Sequence, residues 1–254
     1  MMRSTPLGRV TRGGCTLLAA SLLLAPAARS QATGDGFLFR WPAGSYRIWT
    51  GYDRALANSP IFAFVTDTFT LSKSSFGAYT VGGDLTLRLA PRLELMFSAA
   101  WAGSQAGSEY RHWMDNSNQP IRQTTTLDRV PLTMSLKWYL DSPGHSIGHF
   151  AWVPATVAPF VGLGGGLMWY RFRQYGDFID FADSSVASDT FESDRWTGTL
   201  QAFAGLDVAL GPRYILTGRA QYTWARSVLG SDFVGPNSVD LSGLSLTVGV
   251  GVRF

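Results

Sequence analysis

The chain has a single cysteine, Cys15, and only 15% of its 254 residues are charged, against about a quarter in soluble proteins. One cysteine so near the N-terminus excludes a disulfide framework and a thiolate metal site in the rest of the chain. Histidine is scarce as well, with only His112, His145 and His149. Beyond residue 32 no stretch approaches the roughly 18 consecutive apolar residues that a membrane-crossing helix needs. If such a chain enters a bilayer, it must satisfy its backbone groups as a closed barrel.

The basic balance, 21 Lys and Arg against 18 Asp and Glu, also points to less than it first suggests. Residues 1–32 read as a secretory signal: Arg3, Arg9 and Arg12 form a charged start, Leu17 to Leu24 an apolar core, and Ser30-Gln31-Ala32 a cleavage site of small residues. Removing this segment, with Arg29 as its fourth arginine and no acid, leaves a near-neutral chain. A nucleic-acid partner needs a clustered basic face, so none is expected. Cys15 lies before the apolar core and not at its end, which argues against a lipoprotein.

What the sequence does have is alternation. The chain ends LSGLSLTVGVGVRF, where Leu244, Leu246, Val248, Val250, Val252 and Phe254 alternate with small or polar residues. The same two-faced pattern recurs at about Ser45–Arg54, Tyr79–Leu89, Leu93–Trp101, Val130–Trp138, Val157–Trp169, Leu200–Leu210 and Tyr214–Trp224, making eight strands with the last. Two connections share the pattern Leu-small-Pro-Arg-x-x-Leu, LAPRLEL and LGPRYIL. A three-residue loop Ala90-Pro91-Arg92 sets Leu89 opposite Leu93 and Arg88 opposite Glu94, and predicts an ion pair there. The link from Leu140 to Thr156 is the long exception on that side. At the other end Leu56–Ser75, Gln105–Leu127, Arg173–Asp194 and Val228–Val239 read as long loops. An even strand count, short turns at one end and long loops at the other predict an all-β, eight-stranded antiparallel up-and-down transmembrane β-barrel over residues 33–254.

A soluble barrel turns its apolar face inward and a membrane barrel outward. The polar face here is mostly Gly, Ser and Thr, too small and too weakly charged to cover a water-facing exterior. Its charges carry both signs: Asp84, Arg88, Glu94, Lys137, Asp207, Arg219 and Arg253. They are expected to fill the lumen and close it by pairing, with Asp207 and Arg219 as diagonal neighbours. Tyr79, Trp101, Trp169, Trp196, Tyr222 and Trp224 towards the loops, and Trp138, Tyr214 and Phe254 towards the turns, fit two interfacial girdles.

The last eight residues, TVGVGVRF, resemble the C-terminal assembly signal of bacterial outer-membrane proteins, carried here by Thr247, Gly249, Val252 and Phe254. The resemblance implies recognition by the barrel-assembly machinery. The pattern over about Ser45 to Phe254 is similar to small OmpA/OmpX-like barrels and opacity-type surface proteins. That implies the outer membrane of a Gram-negative-type cell, with lipid and lipopolysaccharide as surroundings. The chain stops at the barrel, so anchoring through an OmpA-like peptidoglycan-binding domain is not implied.

Chemistry is thin on the ground. His145 and His149 are four apart, but Pro143, Gly144 and Gly148 oppose a helix, so no metal site is expected. Lipid A deacylases carry a His-x-Ser pair. Here His145 and Ser146 are adjacent, on the side assigned to the periplasm, which speaks against that enzyme. GLGGGL, Gly162 to Leu167, falls in mid-strand without the closing Lys of a phosphate loop, so its glycines relieve crowding in a narrow barrel. Asp177, Asp180, Asp183, Asp189, Glu192 and Asp194 lack the spacing of a calcium loop and read as a solvated acidic segment, with cation or external-ligand binding left open. Ser59 and Pro60 mark the start of a short helix at the barrel mouth. The expectation is a non-catalytic barrel without cofactor or metal, acting in structure or surface interaction. A lipid A-modifying enzyme and a small-solute channel are the rivals.

Overall fold

The computed structural model describes residues 36–115, 118–148, 150–179, 186–230, 233 and 238–254, so the expected signal at 1–32, with Cys15, lies outside the described residues. The elements are β1 (Gly44–Ala55), α1 (Pro60–Thr68), a 3-10 turn (Lys73–Phe76), β2 (Ala78–Ala90), β3 (Leu93–Met114), β4 (Pro120–Tyr139) and β5 (Gly144–Ile147). They continue with β6 (Ala151–Pro154), β7 (Val157–Ile179), β8 (Val186–Ala209), β9 (Tyr214–Val228), β10 (Ser238–Asp240) and β11 (Gly243–Arg253). Eight of the strands form an antiparallel ring in the order β1, β2, β3, β4, β7, β8, β9, β11. β11 returns to β1, from Ser45 opposite Arg253 to Ala55 opposite Gly243, so the ring is closed.

The apolar alternate positions point outward. Ile48, Val81, Leu163, Leu200, Leu246 and Val250 are at least half exposed, an arrangement water would penalise and hydrocarbon favours. The intervening positions point in and are buried, among them Arg47, Asp84, Thr86, Ser135, Lys137, Gln201 and Asp207. Tyr52, Tyr79, Trp101, Trp196 and Trp224 form an exposed aromatic row at one edge of this band, and Tyr46, Trp138, Tyr214 and Phe254 one at the other.

Two of the expected loops are not loops. β3 runs on to Met114 and β4 begins at Pro120, with Gln105 opposite Thr126 and Glu109 opposite Arg122. β7 continues to Ile179 and pairs with β8 back from Val186. The sequence conceals this because the polarity of the alternation inverts beyond the aromatic row. There Ile121, Leu127, Tyr170 and Phe172 point in and are buried, while Asp128, Arg171 and Arg173 point out. A strand that leaves lipid for water swaps its faces, as a soluble barrel requires.

The connection after β1 forms α1. Ser59 is extended (φ −123°) and Pro60 opens the helix, where its missing N–H costs nothing. Ile61, Phe62 and Val65 make the buried face, with Phe62 4.6 Å from Phe76 and 5.9 Å from Phe172 between ring centroids. The Ser59 hydroxyl accepts the Asp240 N–H (3.1 Å), tying the helix start to β10. At the opposite end the LAPRLEL turn differs from expectation: Ala90 and not Leu89 lies opposite Leu93, because a bulge intervenes, while Arg88 stays opposite Glu94. In β7, Gly162 and Gly164 face the lumen, where a Cβ on Gly162 would strike the Phe203 ring and one on Gly164 the Ser135 side chain. They leave the inward volume to larger neighbours.

Leu163 sits outward in the middle of the apolar band, so Leu163→Arg is expected to destabilise the barrel by about 2–4 kcal/mol. Thr190→Arg on the hairpin beyond the band should stay within about 0.5 kcal/mol of the parent. Urea unfolding of the barrel in phospholipid vesicles measures both.

Candidate functional site: a lumen closed at three levels

At mid-height the lumen holds three cations and three carboxylates drawn from six strands. Asp207 on β8 is the centre: its carboxylate meets Lys137 Nζ at 2.5 Å and Arg47 Nη1 at 3.3 Å. It also accepts the Tyr139 hydroxyl and the Thr217 hydroxyl, both at 2.7 Å. Asp84 on β2 receives Arg219 Nη1 at 3.2 Å and lies 3.8 Å from Arg47 Nε. Its second oxygen accepts Ser98 Oγ (2.7 Å) and Trp49 Nε1 (3.0 Å). Glu94 lies 3.5 Å from Lys137 Nζ. Arg47, Lys137 and Arg219 are thereby matched by Asp84, Glu94 and Asp207, as charges without water must be.

Aromatic faces and a sulfur finish the job. Lys137 Nζ sits 4.3 Å from the Tyr139 ring centroid and 4.1 Å from that of Phe160. The Arg219 guanidinium lies over Trp49 at 4.9 Å. Met96 Sδ is 3.7 Å from both Arg47 Nη2 and Arg219 Nη1. Arg47, Trp49, Met96 and Tyr139 belong to the site without having been singled out by the sequence. Strict alternation in β1 puts Arg47 and Trp49 inward, whereas an inward methionine has no polar signature to find it by.

Asp84, Glu94, Lys137, Asp207 and Arg219 therefore come together, and Arg88 and Arg253 stand apart. The expected Arg88–Glu94 ion pair is not formed. The two residues face each other in register, but Glu94 turns to the buried Lys137, while Arg88 lies over the Trp41 ring at 5.0 Å. Arg219 is diagonal to Asp207, since it pairs with Gly205, yet its carboxylate is Asp84. Arg253 donates to the carbonyls of Gly211 and Pro212 at 3.5 and 3.2 Å and lies over Trp152 at 5.3 Å.

At the short-turn mouth, β5 and β6 form a hairpin from the long Leu140–Thr156 connection. Its Trp152 is 1% exposed, bridges by backbone to Leu38 (2.7 and 2.8 Å) and stacks on Trp41 at 5.6 Å. Trp41 Nε1 donates to Ser146 Oγ at 2.6 Å. The space left among Trp41, Arg88, Glu94, Tyr139, Trp152 and Arg253 is about 20 Å³, room for roughly one water. At the hairpin mouth, above Gln201 with its bonds to Thr133 (3.0 Å) and Ser135 (2.8 Å), an apolar core closes the lumen. It joins Phe62 and Val65 of α1 to Leu127, Tyr170, Phe172 and Val239.

Of the assembly motif, Thr247 and Gly249 face inward, Gly249 against Trp49, and Val252 and Phe254 face outward. Phe254 stacks on Tyr46 at 4.7 Å, and its backbone carbonyl accepts the Ala43 N–H at 2.6 Å. His112 and His145 are exposed on β3 and β5, and His149 lies outside the described residues. Of the acidic segment, Asp180 and Asp183 also lie outside them, Asp177 accepts the Ser188 hydroxyl at 2.5 Å, and Glu192 lies 3.7 Å from Arg173. Among the described residues no three His, Cys, Asp or Glu side chains converge as a metal would require.

A closed ring of eight antiparallel strands, with an apolar outer band between two aromatic rows, is a membrane-spanning β-barrel of outer-membrane type. No protein-family model matches the chain, and no curated protein does. Among solved structures the chain is similar to Neisserial surface protein A, with a TM-score of 0.44 and 14% identity over 88% of this chain and 100% of that one. It is similar also to the outer membrane protein OprG from Pseudomonas aeruginosa (TM-score 0.44, 18% identity, 84% and 97% covered). A third is Ail, the attachment invasion locus protein of Yersinia pestis (0.41, 12%, 83% and 99%).

Asp207→Asn leaves Lys137 and Arg47 short of a carboxylate, and it should cost about 3–5 kcal/mol by urea unfolding. With Lys137→Met added, the loss should fall short of the sum of the two single losses by at least about 1 kcal/mol. Arg88→Ala, which gives up only a stacked contact, should cost about 1 kcal/mol or less. In the cap, Phe62→Ala should cost about 3–5 kcal/mol, and Phe64→Ala, half exposed on the other helix face, about 0.5 kcal/mol or less.

Proposed function

We propose that the protein is a non-catalytic, non-conducting barrel of the bacterial outer membrane that works through its surface. The observation that carries this reading is the lumen: plugged by Trp152 at one mouth, filled by the neutral Arg47–Asp84–Asp207–Lys137 network at mid-height, and capped by α1 at the other. A solute path would have to break all three. The short-turn mouth then faces the periplasm, and the β3–β4 and β7–β8 hairpins face the outside, where they offer extended strands to an external ligand. Lipid and lipopolysaccharide surround the band. The motif ending in Phe254 is read by the assembly machinery during biogenesis. Nucleic acid is no partner.

The absence of catalysis is supported by the placement of the polar groups. Ser146 is engaged by Trp41 on the hairpin beneath the short-turn mouth, away from the outer leaflet. Arg47, Asp84, Lys137, Asp207 and Arg219 are buried, and each charge is matched by an opposite one.

In planar bilayers the purified protein is expected to give no stable conductance steps, and its overproduction is expected to leave the lipid A mass spectrum unchanged. Long-lived steps would replace this reading with a channel, and a new lipid A mass with an enzyme.

A further inference from the structure

Along the hairpin-side rim, cations stand one outward position beyond girdle aromatics: Arg54 after Tyr52, Arg171 after Trp169, Arg226 after Trp224. This is the height at which long cationic side chains reach the headgroups of a bilayer. The two sides of the rim differ in what they do with that charge. On the β4–β7–β8 side Arg171 is 3.2 Å from Asp128 and Arg173 is 3.7 Å from Glu192. On the β9–β11–β1 side Arg54, Arg226 and the nearby Lys73 are exposed, and none has a carboxylate partner among the described residues.

Strand pairing gathers these three into one patch. Arg54 lies opposite Leu244, which on its other side lies opposite Tyr222. Leu56 N–H donates to the Ser242 carbonyl at 2.9 Å, and Arg226 lies opposite Asp240. The Asp240 carboxylate is engaged by the backbone N–H groups of Asn58 (3.2 Å) and Ser242 (3.1 Å), so it is held by backbone and pairs with none of the cations. Lys73 Nζ reaches the same corner, donating to Asn58 Oδ1 at 2.6 Å.

Beside Arg226 runs a groove of about 890 Å³, with Leu200, Tyr222 and Trp224 towards the lipid and Arg226, Asn58 and Asp240 towards water; Arg54, across Leu244 from Tyr222, stands next to it. Outward Gly198 has nothing within 4 Å of a Cβ position, which leaves the groove open there. Below it the lipid face of β8 and β9 is flattened by Ala202, Ala204, Gly218 and Ala220. An apolar trough beside cations that have no carboxylate partner among the described residues has the polarity of an anionic amphiphile. Arg54 and Arg226 lie two strands apart and are offset by the four residues from Asp240 of β10 to Leu244 of β11, so strand geometry sets their Cα atoms roughly 17 Å from each other. Two guanidinium groups so spaced suit a headgroup with a phosphate at each end better than one with a single phosphate.

We infer that this face holds one bisphosphorylated glycolipid of the outer leaflet, with Arg54 on one phosphate, Arg226 and Lys73 on the other, and acyl chains over the β8–β9 surface. The inference rests on the outer-membrane reading above. Its test is native mass spectrometry of the full-length mature protein in mild detergent, titrated with lipid A bearing both phosphates, with lipid A stripped of both, and with phosphatidylglycerol. Arg54→Ala/Arg226→Ala is expected to weaken binding of the bisphosphorylated lipid at least tenfold, as is removal of the phosphates, whereas Arg171→Ala on the paired side changes it less than twofold. Arg54→Lys/Arg226→Lys should retain most of the affinity. Undiminished binding by the double alanine variant, an equal loss in Arg171→Ala, or phosphatidylglycerol binding as tightly as lipid A would each overturn the site. Insertion into vesicles is scored separately by the heat-dependent gel shift of a folded barrel. A chain that never inserts overturns the outer-membrane reading and this site with it, while one that inserts without distinguishing the lipids overturns the site alone.

Discussion

A backbone N–H or C=O left unpaired in hydrocarbon costs several kcal/mol, and this sets the terms for everything else in the molecule. The ladder between β1 and β11, from Ser45–Arg253 to Ala55–Gly243, is what removes the last two edges. It makes the final strand as regular as any other and places Phe254 on the lipid side against Tyr46. Once the ring is closed with eight strands, its interior is too narrow to hold a continuous water column. Inward side chains must then satisfy one another, which is why a serine, a tyrosine, a threonine, a tryptophan and the three cations converge on Asp84 and Asp207.

The same strands serve two solvents. From Trp169 back to Val157, β7 is a membrane strand, apolar outside with inward glycines. From Tyr170 onward it is a soluble-barrel strand, with Tyr170 and Phe172 buried and Arg171 and Arg173 facing water. No break in the hydrogen-bond ladder marks the change, since β7 stays paired to β8 from Val157 to Ile179. The aromatic row marks it instead, because Trp and Tyr are the side chains suited to the boundary. The apolar core under α1 follows from this inversion: strands that rise into water have to bury something between them, and α1 supplies the missing wall.

How far the sequence could be read depended on which solvent a segment met. In the band, alternation gave all eight strands and the sense of their faces, because lipid outside and a polar lumen inside produce the strongest contrast available. Above the band the alternation persisted, as in Ile121, Gln123, Thr125 and Leu127 facing in. A search for outward apolar residues nevertheless takes those stretches for loops. In the network, composition identified the charges but not their partners. Arg88 and Glu94 are opposite in register, and register alone predicts their pairing. What decides it is the third dimension of the lumen, where Lys137, buried with Asp207 already at 2.5 Å, also draws on Glu94, and Arg88 is left to Trp41.

The two plugs show why strand patterning was bound to be silent about closure. Trp152 and Phe62 come from the connections between ring strands, the Leu140–Thr156 link and the segment after β1, where the lipid-facing alternation does not reach. Yet both plugs bear on the network's energetics. A charged cluster open to water at either mouth would interact at high dielectric and be worth little. Sealed by Trp152 below and by α1 above, its attractions act in a drier medium. The strength of the network's attractions is therefore set in part by segments outside the eight ring strands. With the interior spent on internal pairing, the surfaces still free to meet other molecules are the outer ones: the hairpins beyond the aromatic row and the rim where Arg54 and Arg226 have no carboxylate partner among the described residues.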